Sequence, residues 1–429
     1  MIPEPASAPL NSQSPRPQGS RTLALRLYAG LIAGLWSISA LPLLLRSRHL
    51  WPTTPLWLPP PFFDFGCYYY KIKLLHHPGF WTAVGPSWDY PAPGVFVYKL
   101  FYAFNRGDAA EHQVHFGFIA YLIFAAAALL AAGVGLGRAM HRRCVPWIET
   151  AAFLSVSLLL CWPIYFSLQR GNIEFFLDAG IALGVWAYVR RQWWVFAVLL
   201  GIFGSGKLYP LLLLSLLLPL RRWKEFALGL GTAGAVTFFS ARWIGPAPAI
   251  DHKAHAVVDG LLDWVRANSL TVDLHLSGFD HSIFGAMKLI NQGHPQQFAL
   301  WAIGYVLVGS IGMLLLFFGR MWSLPRPNQL LLVVLAALLL PPTSFDYTML
   351  LLLPAWAWMV LIALQPAANR GTRRAILAVM VVLALLFAPE TFAVWRGVFF
   401  AGQVKLICLL ALLGMAATIP FDEQPGLTA

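Results

Sequence analysis

The chain has 429 residues, 59% of them hydrophobic and 11% charged, with 18 Trp and a mean hydropathy of +0.66. A soluble protein carries roughly 25% charged residues, so this composition excludes a soluble globular enzyme, a disordered chain and a disulfide scaffold. Long uninterrupted apolar runs exclude a β-barrel, which leaves a polytopic all-α membrane protein. The net charge of +12 does not indicate nucleic-acid binding, because its 30 basic residues are spread between apolar segments, as residues that set membrane topology are.

In chain order, residues 1–20 are rich in Pro, Ser and Gln and read as a disordered tail. Leu27–Leu45 is a charge-free first span, too long for a signal-peptide core. Further apolar stretches follow at Phe116–Leu136, Ala151–Leu168, Ile173–Val189, Trp193–Gly206, Leu208–Leu220, Phe226–Ala241, Phe298–Gly319, Leu330–Pro342, Tyr347–Leu364, Ala375–Pro389 and Val398–Ile419. The expectation is a bundle of about twelve transmembrane helices, one domain over 21–419, with a short tail at 420–429. Four stretches, 193–206, 208–220, 330–342 and 375–389, are short. At 1.5 Å per residue a 13-residue helix reaches about 20 Å, less than a hydrocarbon core of roughly 30 Å.

Placing the N-terminus in the cytoplasm puts basic clusters on every inner connection: Arg16, Arg21 and Arg26; Arg138, Arg142 and Arg143; Arg190 and Arg191; Arg221, Arg222 and Lys224; Arg320 and Arg326; Arg370, Arg373 and Arg374. Nearly all acidic residues then fall outside, as do all histidines but His141. Both long loops, about 46–115 and 245–296, are also outside, so any chemistry belongs to the outer face of a plasma membrane, away from ATP and sugar nucleotides.

The first outer loop is dense in aromatic residues and is expected to carry helices over Tyr68–Leu75 and from about Gly94 to Phe104. The second carries apolar residues at 254, 257, 258, 261, 262 and 265, one face of an amphipathic helix lying on the outer leaflet. Juxtamembrane helices on that side suggest a lipid-borne substrate.

Four places carry charge where charge is costly. Asp64 stands between Phe63 and Phe65, either as a general base in an apolar setting or as a helix-capping carboxylate. Arg170-Gly171-Asn172-Ile173-Glu174 opens a span, with Asp178 one turn below Glu174 on the same face. An acidic first turn is ordinary at a helix start, but Arg170 and Asn172 are not explained by it. Lys207 lies in Gly204-Ser205-Gly206-Lys207-Leu208-Tyr209-Pro210 between two short apolar segments. It either meets an anion such as phosphate or snorkels to the interface. The spacing of Gly201, Gly206 and Lys207 imitates a P-loop, but Leu208 replaces the Ser/Thr and no strand precedes it. The fourth place is Pro341-Pro342-Thr343-Ser344-Phe345-Asp346-Tyr347, an outer turn between two spans that alone reads as a plain hairpin. The histidines lack helical metal spacing, and the cysteines at 67, 144, 161 and 408 lack CxxC spacing, so neither metal nor redox chemistry is indicated and no cofactor is expected.

Asp64-Phe65 with its Tyr-rich helix, Tyr90-Pro91-Ala92-Pro93, Arg170–Glu174, Lys207–Pro210 followed by Arg221-Arg222-Trp223, and the Pro-Pro-Thr-Ser turn occur in an order that resembles glycosyltransferase family 87 over about residues 23–390. The second proline of the usual Tyr-Pro-Pro is displaced here. That resemblance implies a GT-C-like bundle with outer-face juxtamembrane helices and an inverting transfer of a sugar, typically mannose, from a polyprenyl-phosphate donor to a lipid or glycan acceptor. It implies Asp64 as catalytic base. Lys207 and Arg170, with Lys71, His252 and Lys253, are expected at the donor phosphate, and Asp89, Tyr90, Asn172, Glu174, Tyr209, His281 and Asp346 around the substrates. The partners expected are membrane lipids, the lipid-linked donor and its acceptor. The rival readings are an outer-face glycan ligase or flippase, and a transporter. A transporter predicts internal repeats, which the sequence does not display.

Overall fold

The computed structural model describes residues 22–44, 63–74, 90–103, 114–244, 278–290, 298–365, 370–390, 393–395 and 398–421. The expected N-terminal tail, the amphipathic stretch 254–265, and Asp89, His252 and Lys253 lie outside the described residues, as does the side chain of Lys71.

Every apolar stretch read from the sequence is helical over most of its described length. The helices are α1 (Leu23–Leu44), α2 (Phe63–Leu74), α3 (Ala92–Tyr102), α4 (Val114–His141), α5 (Trp147–Leu159), α6 (Trp162–Arg170), α7 (Glu174–Val189), α8 (Trp193–Gly204) and α9 (Trp223–Ile244). After the second loop come α10 (Ile283–Ile290), α11 (Phe298–Gly319), α12 (Arg326–Leu339), α13 (Leu353–Ala363), α14 (Arg370–Phe387) and α15 (Ala401–Thr418). A two-residue hairpin pairs Val394 with Phe399 and Trp395 with Val398. The expected helix at Tyr68–Leu75 begins earlier, at Phe63, which brings Asp64 into its first turn.

Among the described residues, five segments are long and apolar enough to cross a membrane: Leu23–Ala40, Phe116–His141, Ile303–Ser323, Asp346–Ala363 and Ala401–Thr418. A sixth arises if α5 and α6, bent by 47°, form one broken span. The bend falls at Leu160-Cys161, where Pro163 interrupts the hydrogen-bond ladder and the Trp36 indole donates to the Leu160 carbonyl. The short stretch 208–220 is a 3-10 run over Tyr209–Leu217 rather than an α-helix, and a second 3-10 run, Asp346–Leu352, leads into α13. These tight runs start just after the two charged turns and anchor them to the bundle.

The outer helices face an apolar medium. Leu300, Val308 and Leu315 on α11 are 80%, 71% and 69% exposed. Water would not tolerate such a surface, and lipid requires it. The core is built on α12, which is buried along nearly its whole length, with the 3-10 runs, α13, α14 and α15 around it.

α7, α8 and α9 pack through glycine. A Cβ on Gly201 would stand 2.6 Å from the Gly229 carbonyl oxygen and 2.7 Å from Thr232 Cβ, so the backbones of α8 and α9 meet there. Gly201→Val is expected to destabilise the protein by about 1–3 kcal/mol through overpacking, read as a lowered Tm in detergent, with Gly231→Val, which faces open space, as the silent control.

Candidate active site

α4 runs from Phe118 and Tyr121, beside the charged turns, down to His141, and α15 runs from Gly402, packed on Asp280, down to Ala416. The opposite end of the bundle holds Arg26–Glu149, Arg320 on the Ala417 carbonyl, and Asn328 on the carbonyls of Ala416 and Ile419. The sequence-predicted site residues that the structure describes therefore gather at one end, and Arg26 and Arg320, assigned to inner connections, lie at the other.

The site is built from the end of α6. Gly171 adopts φ +65°, and its N–H and that of Asn172 return to the carbonyls of Leu168 and Ser167, closing the helix as a Schellman motif. A Cβ at Gly171 would lie 2.7 Å from Phe65 Cβ, so glycine is needed both for the left-handed turn and for the approach of α2. This turn aims Arg170 and Asn172 at one carboxylate. Arg170 Nε donates to Asp64 Oδ2 at 2.8 Å and its NH2 to Oδ1 at 2.6 Å, a two-pronged ion pair. Asn172 Nδ2 donates to Asp64 Oδ2 at 3.1 Å.

Tyrosines grip the same turn. The Tyr90 hydroxyl donates to Asn172 Oδ1 at 2.9 Å, which also accepts the Glu174 N–H. The Tyr121 hydroxyl donates to the Asn172 carbonyl at 2.7 Å, and Tyr98 lies between Gly171 and Ile173. Glu174, 1% exposed, pairs with Lys207 from the turn after α8. Gly206 and Gly94 allow that turn to touch α3: a Cβ on Gly94 would be 3.0 Å from the Gly206 carbonyl oxygen. Asp178 is buried below Glu174, and the Tyr209 ring stands by both carboxylates. Lys207 Nζ lies 4.4 Å from the Tyr90 ring centre and 5.4 Å from that of Tyr347, while Arg170 Cζ lies 5.8 Å from Tyr347. Arg170 and Lys207 are the partly exposed members of their pairs, at 23% and 17% against 11% for Asp64 and 1% for Glu174. The mouth of the site is thus cationic, with the carboxylates behind it.

A second polar layer lies under the Pro-Pro-Thr-Ser turn. Asp346 pairs with Lys405 at 2.8 Å and accepts the Trp162 indole N–H. His281 Nε2 is 2.9 Å from Ser344 Oγ, and its Nδ1 is 3.9 Å from Asp346 Oδ1. Asp280 Oδ1 accepts the backbone N–H groups of Ser282 and Ser344. Burial pushes the His281 imidazole down to about 3, so it is neutral beside Asp346. Burial also pushes the Glu390 carboxyl up to about 8, against the pull of nearby Lys405. His281 and Asp346 thus engage this layer, whereas Arg170 and Lys207 form the mouth with Asp64, Tyr90, Asn172, Glu174 and Tyr209 packed around and behind them.

Tyr98, Tyr121, Trp162, Ser344 and Tyr347 were not singled out for the site by the sequence. Lys405 did carry a signal, being a lone cation in an apolar segment, which demands a buried anion. Among the described residues no three His, Cys, Asp or Glu side chains converge as metal ligands do.

Lys405→Met leaves Asp346 as a buried unpaired charge and is expected to cost about 3–5 kcal/mol, with much of the loss recovered in Lys405→Met/Asp346→Leu; Tm in detergent measures both. Because the folded-state pKa of His281 is depressed, its contribution to stability is present above the unfolded value, roughly 6.5, and is lost as pH falls from there toward about 3. Tm measured between about pH 7.5 and 4.5 should fall less steeply in His281→Gln than in the wild type.

The sequence profile of glycosyltransferase family 87 matches residues 88–342. The chain is also 26% identical, over 375 residues covering 83% of it and 81% of the relative, to a polyprenol-phosphate-mannose-dependent alpha-(1-2)-phosphatidylinositol pentamannoside mannosyltransferase of Mycobacterium tuberculosis (strain CDC 1551 / Oshkosh). The profile covers Tyr90, Tyr98, Tyr121 and Tyr209, the Arg170–Glu174 turn, Lys207 and the Pro-Pro pair, and with it this multi-pass membrane protein belongs to glycosyltransferase family 87 and is a glycosyltransferase.

Proposed function

We propose that this enzyme transfers mannose from a polyprenyl-phosphate donor to a lipid or glycan acceptor at the outer face of the plasma membrane, with inversion and with Asp64 as general base. The observation that carries the reading is the convergence of Arg170 and Lys207 at one mouth, each backed by a more deeply buried carboxylate. The mannosyl donor named for the mycobacterial relative supports it. So does the charge pattern of the sequence, which sets the basic connectors on the opposite end from this site.

In this mechanism the donor phosphate meets Arg170 and Lys207. The guanidinium then exchanges its hold on Asp64 for the phosphate oxygens, a geometry it matches equally well. Freed of that grip, Asp64 accepts the proton of the acceptor hydroxyl as its oxygen bonds the anomeric carbon. The carbon–oxygen bond to phosphate breaks on the opposite face, and the electron pair leaves with the polyprenyl phosphate. Asn172, fixed by Tyr90 and the Glu174 N–H, holds the carboxylate in place during the exchange.

The test is transfer by the purified protein in lipid, offered polyprenyl-phosphate mannose, other polyprenyl-phosphate sugars and membrane glycolipid acceptors. Asp64→Asn, retaining its Tm, is expected to lower kcat by about 10²–10⁴-fold. Equal activity in that variant would move the base to Glu174. Absence of transfer from every donor would replace the reading with a ligase, a flippase or a transporter.

A further inference from the structure

Tyr347 is held at the mouth from the C-terminal half of the chain. It follows Asp346, which is anchored by Lys405 from α15 and Trp162 from α6. Its ring is stacked on Phe166, one turn before Arg170, with centres 5.9 Å apart and planes 15° apart. Both cations of the mouth lie within 6 Å of that ring, and Tyr90 flanks Lys207 at 4.4 Å. Tyr347 is only partly buried, whereas Asp346 is 4% and Lys405 1% exposed. The anchor is therefore sealed, while Tyr347 retains partial exposure beside both cations. An aromatic face beside two phosphate-binding cations suits a pyranose, whose C–H face packs on a ring while its anomeric phosphate reaches the charges.

We propose that Tyr347 contacts the donor at the junction of sugar and phosphate, and that the buried Asp346–Lys405 pair is the positioning device that sets its ring across Arg170 and Lys207. This rests on the transferase reading above and adds a specificity-determining residue and its support. No hydrogen bond from the Tyr347 hydroxyl is needed for it, since the ring supplies both the packing face and the attraction for the cations.

The experiment compares Tyr347→Leu, Tyr347→Phe, Lys405→Met and the double variant Asp346→Leu/Lys405→Met with wild type. It measures Tm, donor and acceptor KM, kcat, and binding of a short-chain polyprenyl phosphate by thermal shift. Tyr347→Leu is expected to keep its Tm and acceptor KM while donor KM rises and prenyl-phosphate binding weakens roughly tenfold. Tyr347→Phe should stay near wild type. The double variant should regain the Tm lost in Lys405→Met yet keep the weakened donor binding, an outcome that a merely structural pair would not give. An unchanged donor KM and unchanged prenyl-phosphate binding in folded Tyr347→Leu would overturn the proposal. So would a double variant that recovers donor binding along with Tm, for the positioning role. If wild type binds prenyl phosphate but transfers no sugar, the transferase reading falls, and loss of that binding in Tyr347→Leu still upholds the contact at the phosphate.

Discussion

The arrangement of this end of the molecule follows from one constraint, that an ion removed from water must have a partner. Asp64 meets Arg170, Glu174 meets Lys207, and Asp346 meets Lys405. An unpaired ion in such a place costs several kcal/mol, so each pair fixes the relative position of the elements that carry it. The first ties α2 to the end of α6. The second ties the start of α7 to the turn after α8. The third ties the turn before α13 to α15. Because Arg170 and Glu174 are four residues apart across the Gly171 turn, the first two pairs are mechanically one, and Tyr347 joins the third to both.

The bundle around these pairs meets the opposite demand. α11 exposes leucine and valine along its length, and α12 is buried along nearly all of it. Helices in lipid gain little from hiding apolar surface from one another, so close backbone approach and polar contacts must hold them together. Both occur where the site is framed. Gly180 and Gly184 meet Phe203 and Leu200, and Gly201 meets Gly229, which stacks α7, α8 and α9 under the Glu174–Lys207 pair. The Trp36, Tyr121 and Trp162 donors satisfy backbone or carboxylate oxygens at breaks and turns that lipid could not. The 3-10 runs belong to the same logic, since each begins beside a charged turn and carries it into buried, leucine-rich surroundings.

Hydropathy made the apolar elements legible, because every stretch that is rich in Leu, Val and Phe and free of charge is a helix here. Charge made the mouth legible. Asp64, Arg170, Glu174 and Lys207 are conspicuous in a chain so poor in ions, and the structure brings them together. Which ion meets which was not legible, because pairing is set by residues some 30 to 110 positions apart. The tyrosine grip on the Asn172 turn was hidden for a related reason: in a chain with 13 Tyr and 30 Phe, nothing local distinguishes a tyrosine that donates a hydrogen bond from one that fills space. The broken span at Leu160 reads as continuous in the sequence because its hydropathy is continuous, and only the position of Pro163 marks the break. Lys405 was visible as an anomaly, but its partner lies 59 residues earlier, on a turn that alone reads as a plain hairpin.

The paired state of the cations bears on the proposed chemistry. Two unpartnered cations side by side would carry the full cost of burying like charges. Here each is neutralised by its own carboxylate, and Arg170 and Lys207 are more exposed than their partners. On the proposed mechanism an incoming phosphate competes with a carboxylate for Arg170. The competition weakens binding somewhat, but it links two events that the reaction needs in order. In the proposed mechanism both Asp64 oxygens are occupied by Arg170 until phosphate draws the guanidinium away, and only then does the carboxylate open to the acceptor hydroxyl. On the proposed reading the base is released only when the electrophile is in place. In the same proposed mechanism the Glu174–Lys207 pair, whose carboxylate is only 1% exposed, is the fixed charge against which that exchange occurs.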